Sequence, residues 1–273
     1  MSTFASSLAF IGGGNMAAAI IGGLIRSGRA AASILVVDPG EAQRAKLQAD
    51  FGVRTFAVAD AALSEAATVV WAVKPQFFQA AAAPCAAHVG GALQLSVMAG
   101  IRSDGIARAT GADRIVRSMP NTPALIGEGI AGLFARDAVT AADRVEVEAV
   151  LAPTGRTLWV AREEDLDAVT ALSGSGPAYV FYFVEAMVQA AREMGLSEAQ
   201  GKALALATFA GATSLAQASD EPPSVLRERV TSKGGTTYAA LMSLEASGVK
   251  AAFITALKAA QQRARELGDE FGR

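Results

Sequence analysis

The sequence predicts an α/β fold: a doubly wound sheet in the N-terminal part and an all-helical C-terminal part. Three observations carry this. Short β-rich runs alternate with helical ones along the first half of the chain, the pattern of a mainly parallel sheet with helices on both faces. A glycine cluster, Gly12-Gly13-Gly14, separates the first such run from the first helix. Near Arg162-Glu-Glu-Asp165 the alternation stops, and no convincing strand follows.

Taken in order, Leu8-Ala-Phe-Ile-Gly12 reads as a strand and Asn15 to Ser27 as a helix stopped by Gly28. Ile34-Leu-Val-Val-Asp38 is a second strand, followed by a helix from about Glu41 to Asp50. Thr68 to Val73, Leu93 to Val97 and Arg114 to Ser118 read as further strands. Beyond them, Pro177 begins a long apolar helix, Ala178 to Met194, with Gly195 as its stop. Ser197-Glu-Ala-Gln200 is a capping box and opens a helix from Gly201 to Ala218. Pro222-Pro223-Ser224 opens another, carrying Val225, Leu226 and Val230. A helix from Tyr238 runs on to Gly248, and a final one from about Lys250 towards Leu267. These helices are apolar over much of their circumference, more than one small bundle buries, which predicts burial against a second subunit. The expected division is 1–163 as a dinucleotide-binding domain and 164–273 as a helical dimerisation and substrate-binding domain.

Composition excludes several classes. With 273 residues, 52% of them hydrophobic, the chain can bury substantial cores. A net charge of −2 offers no basic surface, so no nucleic-acid partner is expected. Cys85 is the one cysteine and His88 the one histidine, so neither an intrachain disulfide, a metal site nor a His-centred catalytic pair is expected. Leu8 to Ile25 is nearly free of charge. Arg26, the first charged side chain, comes after that stretch rather than before it, as a signal peptide would require. The expectation is a cytoplasmic protein without a membrane partner.

Gly12, Gly14 and Ala17 fit G-x-G-x-x-A, with Asn15 and Met16 opening the helix. In such a Rossmann fingerprint the first glycine makes the tight turn, the second admits the pyrophosphate, and the small third residue lets helix and strand pack closely. Asp38 ends the second strand at the spacing where a carboxylate reads the ribose 2′-hydroxyl of NADH and repels the 2′-phosphate of NADPH. Arg44 lies within reach of such a phosphate, so NADPH stays open. Two further turns follow strand ends, where a doubly wound sheet places ligands. Ala72-Val73-Lys74-Pro75 is one. Met119-Pro120-Asn121-Thr122-Pro123 is the other, with Asn121 and Thr122 suited to the nicotinamide amide. Near the C-terminus, Val230-Thr231-Ser232-Lys233-Gly234-Gly235-Thr236-Thr237 is a helix–helix turn of hydroxyls and glycines. It fits either a turn that grips a small carboxylate or an ordinary N-capped turn.

These motifs, with Asp167-Ala-Val-Thr-Ala-Leu-Ser173-Gly-Ser175-Gly176-Pro177-Ala-Tyr179 between the last two, occur in an order that closely resembles the pyrroline-5-carboxylate reductase family. The resemblance spans almost the whole chain. It implies an N-terminal Rossmann domain and a C-terminal all-helical dimerisation domain, interlocked in a homodimer that often assembles to a decamer, with the substrate pocket at the dimer interface. It implies hydride transfer from NADPH or NADH to L-1-pyrroline-5-carboxylate. It implies that Ser232, Gly234, Gly235 and Thr236 hold the substrate carboxylate, that Thr237 hydrogen-bonds the ring nitrogen, and that the segment with Ser175, Gly176 and Pro177 lies beside the nicotinamide. Many members have proline where this chain has Lys233, and neutral or basic residues where it has Asp38-Pro39. The rival plan of a β-hydroxyacid dehydrogenase, which uses a lysine early in its helical domain, meets no lysine between Lys74 and Lys202. A non-catalytic redox sensor would have no obvious use for the Ser232–Thr237 turn.

Overall fold

The computed structural model describes residues 6–271. The chain begins β1 (Ser7–Ile11), α1 (Asn15–Arg26), β2 (Ile34–Val37), α2 (Glu41–Phe51), β3 (Arg54–Phe56) and β4 (Ala66–Trp71). Two short helices follow, α3 (Phe78–Ala82) and α4 (Ala86–Val89), then β5 (Leu93–Ser96), α5 (Ser103–Thr110) and β6 (Ile115–Met119). The sheet is completed by β7 (Gly129–Ala135), α6 (Ala141–Leu151) and β8 (Gly155–Trp159).

Among the described residues these strands form one eight-stranded sheet, ordered β3-β2-β1-β4-β5-β6-β7-β8. Neighbours run parallel except β6 and β7. The order turns back between β1 and β4, where Phe10 lies opposite Val36 on one side and Val70 on the other. That reversal opens a crevice at the strand C-termini, the usual ligand position of such sheets. Successive side chains of β1 point to opposite faces: Leu8 and Phe10 enter one apolar core with α1, α2 and α6, and Ala9 and Ile11 enter another with α3, α4 and α5. Burial of each such large side chain stabilises the fold by about 1.5–3 kcal/mol.

The five strands expected from sequence are present, and three more join them. β3 is short. β7 is punctuated by glycines at 129 and 132, and Gly132 lies so close to Val169 that a Cβ there would sit 2.7 Å from its Cγ1. β8 is the sheet edge and alternates half-buried with exposed residues.

The helical part holds α7 (Asp165–Val169), α8 (Gly176–Glu193), α9 (Glu198–Gln217), α10 (Pro223–Arg229), α11 (Thr236–Ala246) and α12 (Val249–Phe271). Between α7 and α8 the residues Thr170–Gly174 form a π-helical turn. Ser197 caps α9 in a reciprocal capping box with Gln200, so the helix starts at Glu198 rather than Gly201. Among the described residues no single helix is long and apolar enough to cross a membrane.

By packing, the chain divides into two compact units: Met1–Ser175 with Ala260–Arg273, and Gly176–Ala259. In the first, α7 packs on β7 and Asp167 pairs with Arg102. In the second, α8 and α9 pack antiparallel, with Gly201 close against Ala191. Phe253 of α12 meets Tyr179 and Phe183 of α8 edge to face. Few residues of α8 to α11 are buried, while Phe181, Tyr182, Leu204, Leu215 and Met242 stand exposed.

Candidate active site

The first unit builds a dinucleotide cradle at the β1/β4 reversal. Gly12 has φ +94°, which favours glycine, and a Cβ there would lie 2.8 Å from the Ala72 carbonyl oxygen and 2.9 Å from Val73 Cγ1. The two turns are thus locked together, with the Gly12 N–H donating to Val37 and the Ala72 N–H to Ile11. Gly14 is the N-cap of α1, has no side chain to cap it, and its Cβ direction is open for 4 Å. The first backbone bond of α1 is Ala18 N–H to Gly14. The Asn15, Met16 and Ala17 N–H groups precede it, which makes an uncapped helix start suited to a pyrophosphate. Ala17 is fully buried, as close helix–strand packing demands.

Beside this turn lies a cavity of about 520 Å³ whose lining includes Gly12, Gly14, Asp38, Ala72, Val73 and Lys74. Six predicted site residues therefore converge. Val58, Phe77, Ala81 and Cys85 supply an apolar wall that the sequence reading missed. Their signal was positional: all follow the C-terminal ends of β3 and β4. Cys85 is buried, donates to the Ala81 carbonyl, and burial pushes its thiol pKa up to about 11. It is a wall, not a nucleophile.

Asp38 does more than mark the ribose position. Its carboxylate accepts from the Gly13 N–H (2.8 Å) and from the Gly40 N–H (2.8 Å), so it braces the glycine turn it faces. The Arg44 guanidinium donates 2.8 Å bonds to the carbonyls of Asp38 and Pro39. Lys74 is exposed, and Pro75 begins a short 3-10 turn that holds the loop rigid.

In the Met119–Pro123 turn, Asn121 Oδ1 accepts the Ile130 N–H at 3.0 Å. That bond joins the turn to β7, leaving its amide nitrogen for any ligand. Thr122 is exposed at the start of a 3-10 turn, Thr122–Ile126, that packs against α1. Met119 meets the second predicted nicotinamide segment, since a Cβ on Gly174 would lie 2.6 Å from Met119 Cε. In that segment the Ser173 hydroxyl donates back to Val169, and the Ser175 N–H closes the π-turn onto Thr170 at 2.8 Å. Gly176 and Pro177 then open α8.

The second unit carries the hydroxyl turn. α11 starts at Thr236, two residues before the Tyr238 expected from sequence, so Thr236 and Thr237 lie in its first turn. Its N-cap is Gly235, without a capping side chain, and its first backbone bond is Ala239 N–H to Gly235. Gly234 has φ +76°, and a Cβ on Gly235 would lie 2.6 Å from Ser232 Oγ. The turn thus sets a serine hydroxyl beside an uncapped helix start. Ser232, Lys233, Thr236 and Thr237 are all exposed.

Residues 163–267 match a family model described as pyrroline-5-carboxylate reductase dimerisation, and residues 7–100 match one described as NADP oxidoreductase coenzyme F420-dependent. The chain is 43% identical over 267 residues to a pyrroline-5-carboxylate reductase of Pseudomonas aeruginosa, covering 97% of this chain and 98% of that protein. The chain belongs to the pyrroline-5-carboxylate reductase family. Its fold agrees with solved members: the enzyme from Coxiella burnetii aligns at 35% identity and a TM-score of 0.90 over 96% of this chain and 98% of that one. That from Plasmodium falciparum, solved with NADP bound, aligns at 27% identity and a TM-score of 0.86 over 98% of this chain and 100% of that one. The dimerisation match falls on the helices whose apolar side chains stand exposed, which supports homo-oligomerisation.

Proposed function

We infer that the chain is an NAD(P)H-dependent oxidoreductase acting on a C=N bond, reducing L-1-pyrroline-5-carboxylate to L-proline in the last step of proline biosynthesis. The observation that carries this reading is the Ser232–Thr237 turn. A dinucleotide cradle alone serves many reactions. A serine hydroxyl held against an uncapped helix start is what a small carboxylate needs.

In this reading Gly12, Gly14, Asn15 and Met16 take the pyrophosphate, and Asp38, Ala72, Val73, Lys74 and Pro75 line the adenosine side. Asn121, Thr122, Ser175, Gly176 and Pro177 border the nicotinamide. Ser232, Gly234, Gly235 and Thr236 hold the substrate carboxylate, and Thr237 hydrogen-bonds the ring nitrogen. When bound, the reduced nicotinamide supplies the hydride that adds to the C=N carbon. The imine enters as the iminium, so the C=N electron pair ends on a nitrogen that already carries its proton. Thr237 orients that nitrogen; its hydroxyl is too weak an acid to be a proton source. The protein's contribution is positioning, with donor and acceptor carbons held about 3–3.5 Å apart.

The choice of coenzyme turns on Asp38. Its carboxylate faces the cavity rim, and Arg44 is drawn to backbone carbonyls, so the local charge favours NADH over a 2′-phosphate. The NADP-bound relative argues the other way. The reading also makes the chain a cytoplasmic enzyme, at least a homodimer through its helical part and, as in the assemblies the resemblance implies, a decamer.

The test is oxidation of NADPH and NADH, separately, by the purified protein with L-1-pyrroline-5-carboxylate, with the product identified. Proline is the expected product. No turnover with either coenzyme, in protein shown to bind one, would overturn the assignment.

A further inference from the structure

A buried charge cluster in the first unit has no part in the roles assigned so far. Arg102 and Ser103 lie after β5, Arg117 on β6, and Glu163 and Asp167 at the entry to α7. Arg102 Nη2 donates to Asp167 Oδ2 at 2.9 Å. Arg117 Nη1 donates to Glu163 Oε1 at 2.8 Å, and the Ser103 N–H and hydroxyl donate to the two oxygens of Glu163 at 2.6 Å each. The side chains of Asp167 and Arg117 are 7% and 6% exposed. Taking four charges largely out of water carries a desolvation cost that pairing must offset, and an apolar cluster often stabilises a fold as well or better. What ionic pairs add is direction, because a guanidinium and a carboxylate fix each other's position.

The position fixed here is that of α7. One helical step beyond Asp167 the chain widens into the π-turn, whose closing bond is the Ser175 N–H to Thr170. Single π-turns inside α-helices recur at functional sites. Arg102 is clamped from a second side as well. Gly268 of α12 packs so closely that a Cβ there would meet Arg102 Nη2 at 2.5 Å and Nε at 2.6 Å. The guanidinium therefore sits between the α12 backbone and the Asp167 carboxylate.

We propose that Asp167, held by Arg102 against Gly268, is a positioning residue for hydride transfer, setting the π-turn that presents Ser175 to the nicotinamide. This rests on the placement of that segment beside the nicotinamide given above. Asp167 touches no ligand in this scheme; it acts through the backbone two turns on.

The experiment compares the parent with Asp167→Asn and Gly268→Ala. The second adds a methyl group at a position 101 residues along the chain that pushes the guanidinium off its carboxylate, while alanine favours the helix it sits in. Each protein is assayed for kcat, KM for L-1-pyrroline-5-carboxylate, coenzyme Kd by fluorescence, the isotope effect with coenzyme deuterated at the transferred position, and thermal midpoint. The expected result is a fall in kcat of about tenfold in both variants. Coenzyme Kd should stay within twofold and the isotope effect should rise as hydride transfer becomes rate-limiting. Unchanged kcat in folded variants overturns the proposal. So does a loss of kcat matched by loss of coenzyme affinity or of the folded state, which would mark the cluster as structural alone. An inactive parent would sink the reductase reading, and this proposal with it; an active parent with unaffected variants would sink this proposal alone.

Discussion

Asp38 shows how one side chain can serve both framework and ligand. Its two oxygens receive the Gly13 and Gly40 N–H groups, yet each keeps a lone pair for a ribose hydroxyl. Removing the charge while keeping the shape separates the two duties. Asp38→Asn is expected to shift the NADPH-to-NADH ratio of kcat/KM towards NADPH by about tenfold, the worth of one charge-assisted hydrogen bond. Steady-state kinetics with both coenzymes checks this; an unmoved ratio would mean that Asp38 only braces the turn. Thr237 has a single duty in the proposed scheme. Thr237→Ala should lower kcat about tenfold, again one hydrogen bond, and leave coenzyme affinity nearly intact when measured by titration. An equal loss of coenzyme binding would remove Thr237 from the substrate side.

At the scale of elements, the start of α11 is set by an absence. A serine or aspartate at position 235 would cap the helix and occupy the place a ligand carboxylate takes. Gly235 lies at φ −83° and ψ 178°, open to any residue, so its requirement is spatial: Ser232 Oγ fills the Cβ position. Gly235→Ala is therefore expected to displace Ser232 and raise KM for the imine about tenfold, the loss of one hydrogen bond, with little change in thermal midpoint. A normal KM would show that Ser232 does not hold the carboxylate. The elements that the sequence revealed are those with strong local signals. β1 and β4 are continuous apolar runs because both faces are covered, and α1 is bracketed by glycines. β3, β7 and β8 were hidden for physical reasons. Three residues, Arg54 to Phe56, are too few to establish a period, glycines interrupt β7, and β8 is an edge strand with one exposed face. The candidate site was legible as motifs because glycine, proline and hydroxyl residues punctuate it locally. The Asn121 bond to β7 and the apolar wall around Cys85 were not, since each depends on chain segments that only tertiary packing brings together.

For the whole molecule, the exposed apolar residues of α8 to α11 bear on the quaternary state, because the dimerisation match covers them. Phe181 is 59% exposed and Leu215 61% exposed, on helices that bury almost nothing within their own unit. Phe181→Glu places a charge where a second copy is expected to pack. It should produce monomers by light scattering and abolish reductase activity; an unaffected oligomer would place the interface on another face. The division into two units has a further consequence through α12, a 23-residue helix that belongs to the second unit at its beginning and to the first from Ala260 onward. Phe271 packs on the core of the sheet, and Leu267 closes on Gly100. On the ribosome the chain emerges from its N-terminus, and domains that are continuous in sequence can fold as they appear. Here residues from Ala260 onward complete the unit begun by β1. The dinucleotide-binding part therefore stays unfinished until the helices of the other unit have been made, so its folding is discontinuous in sequence.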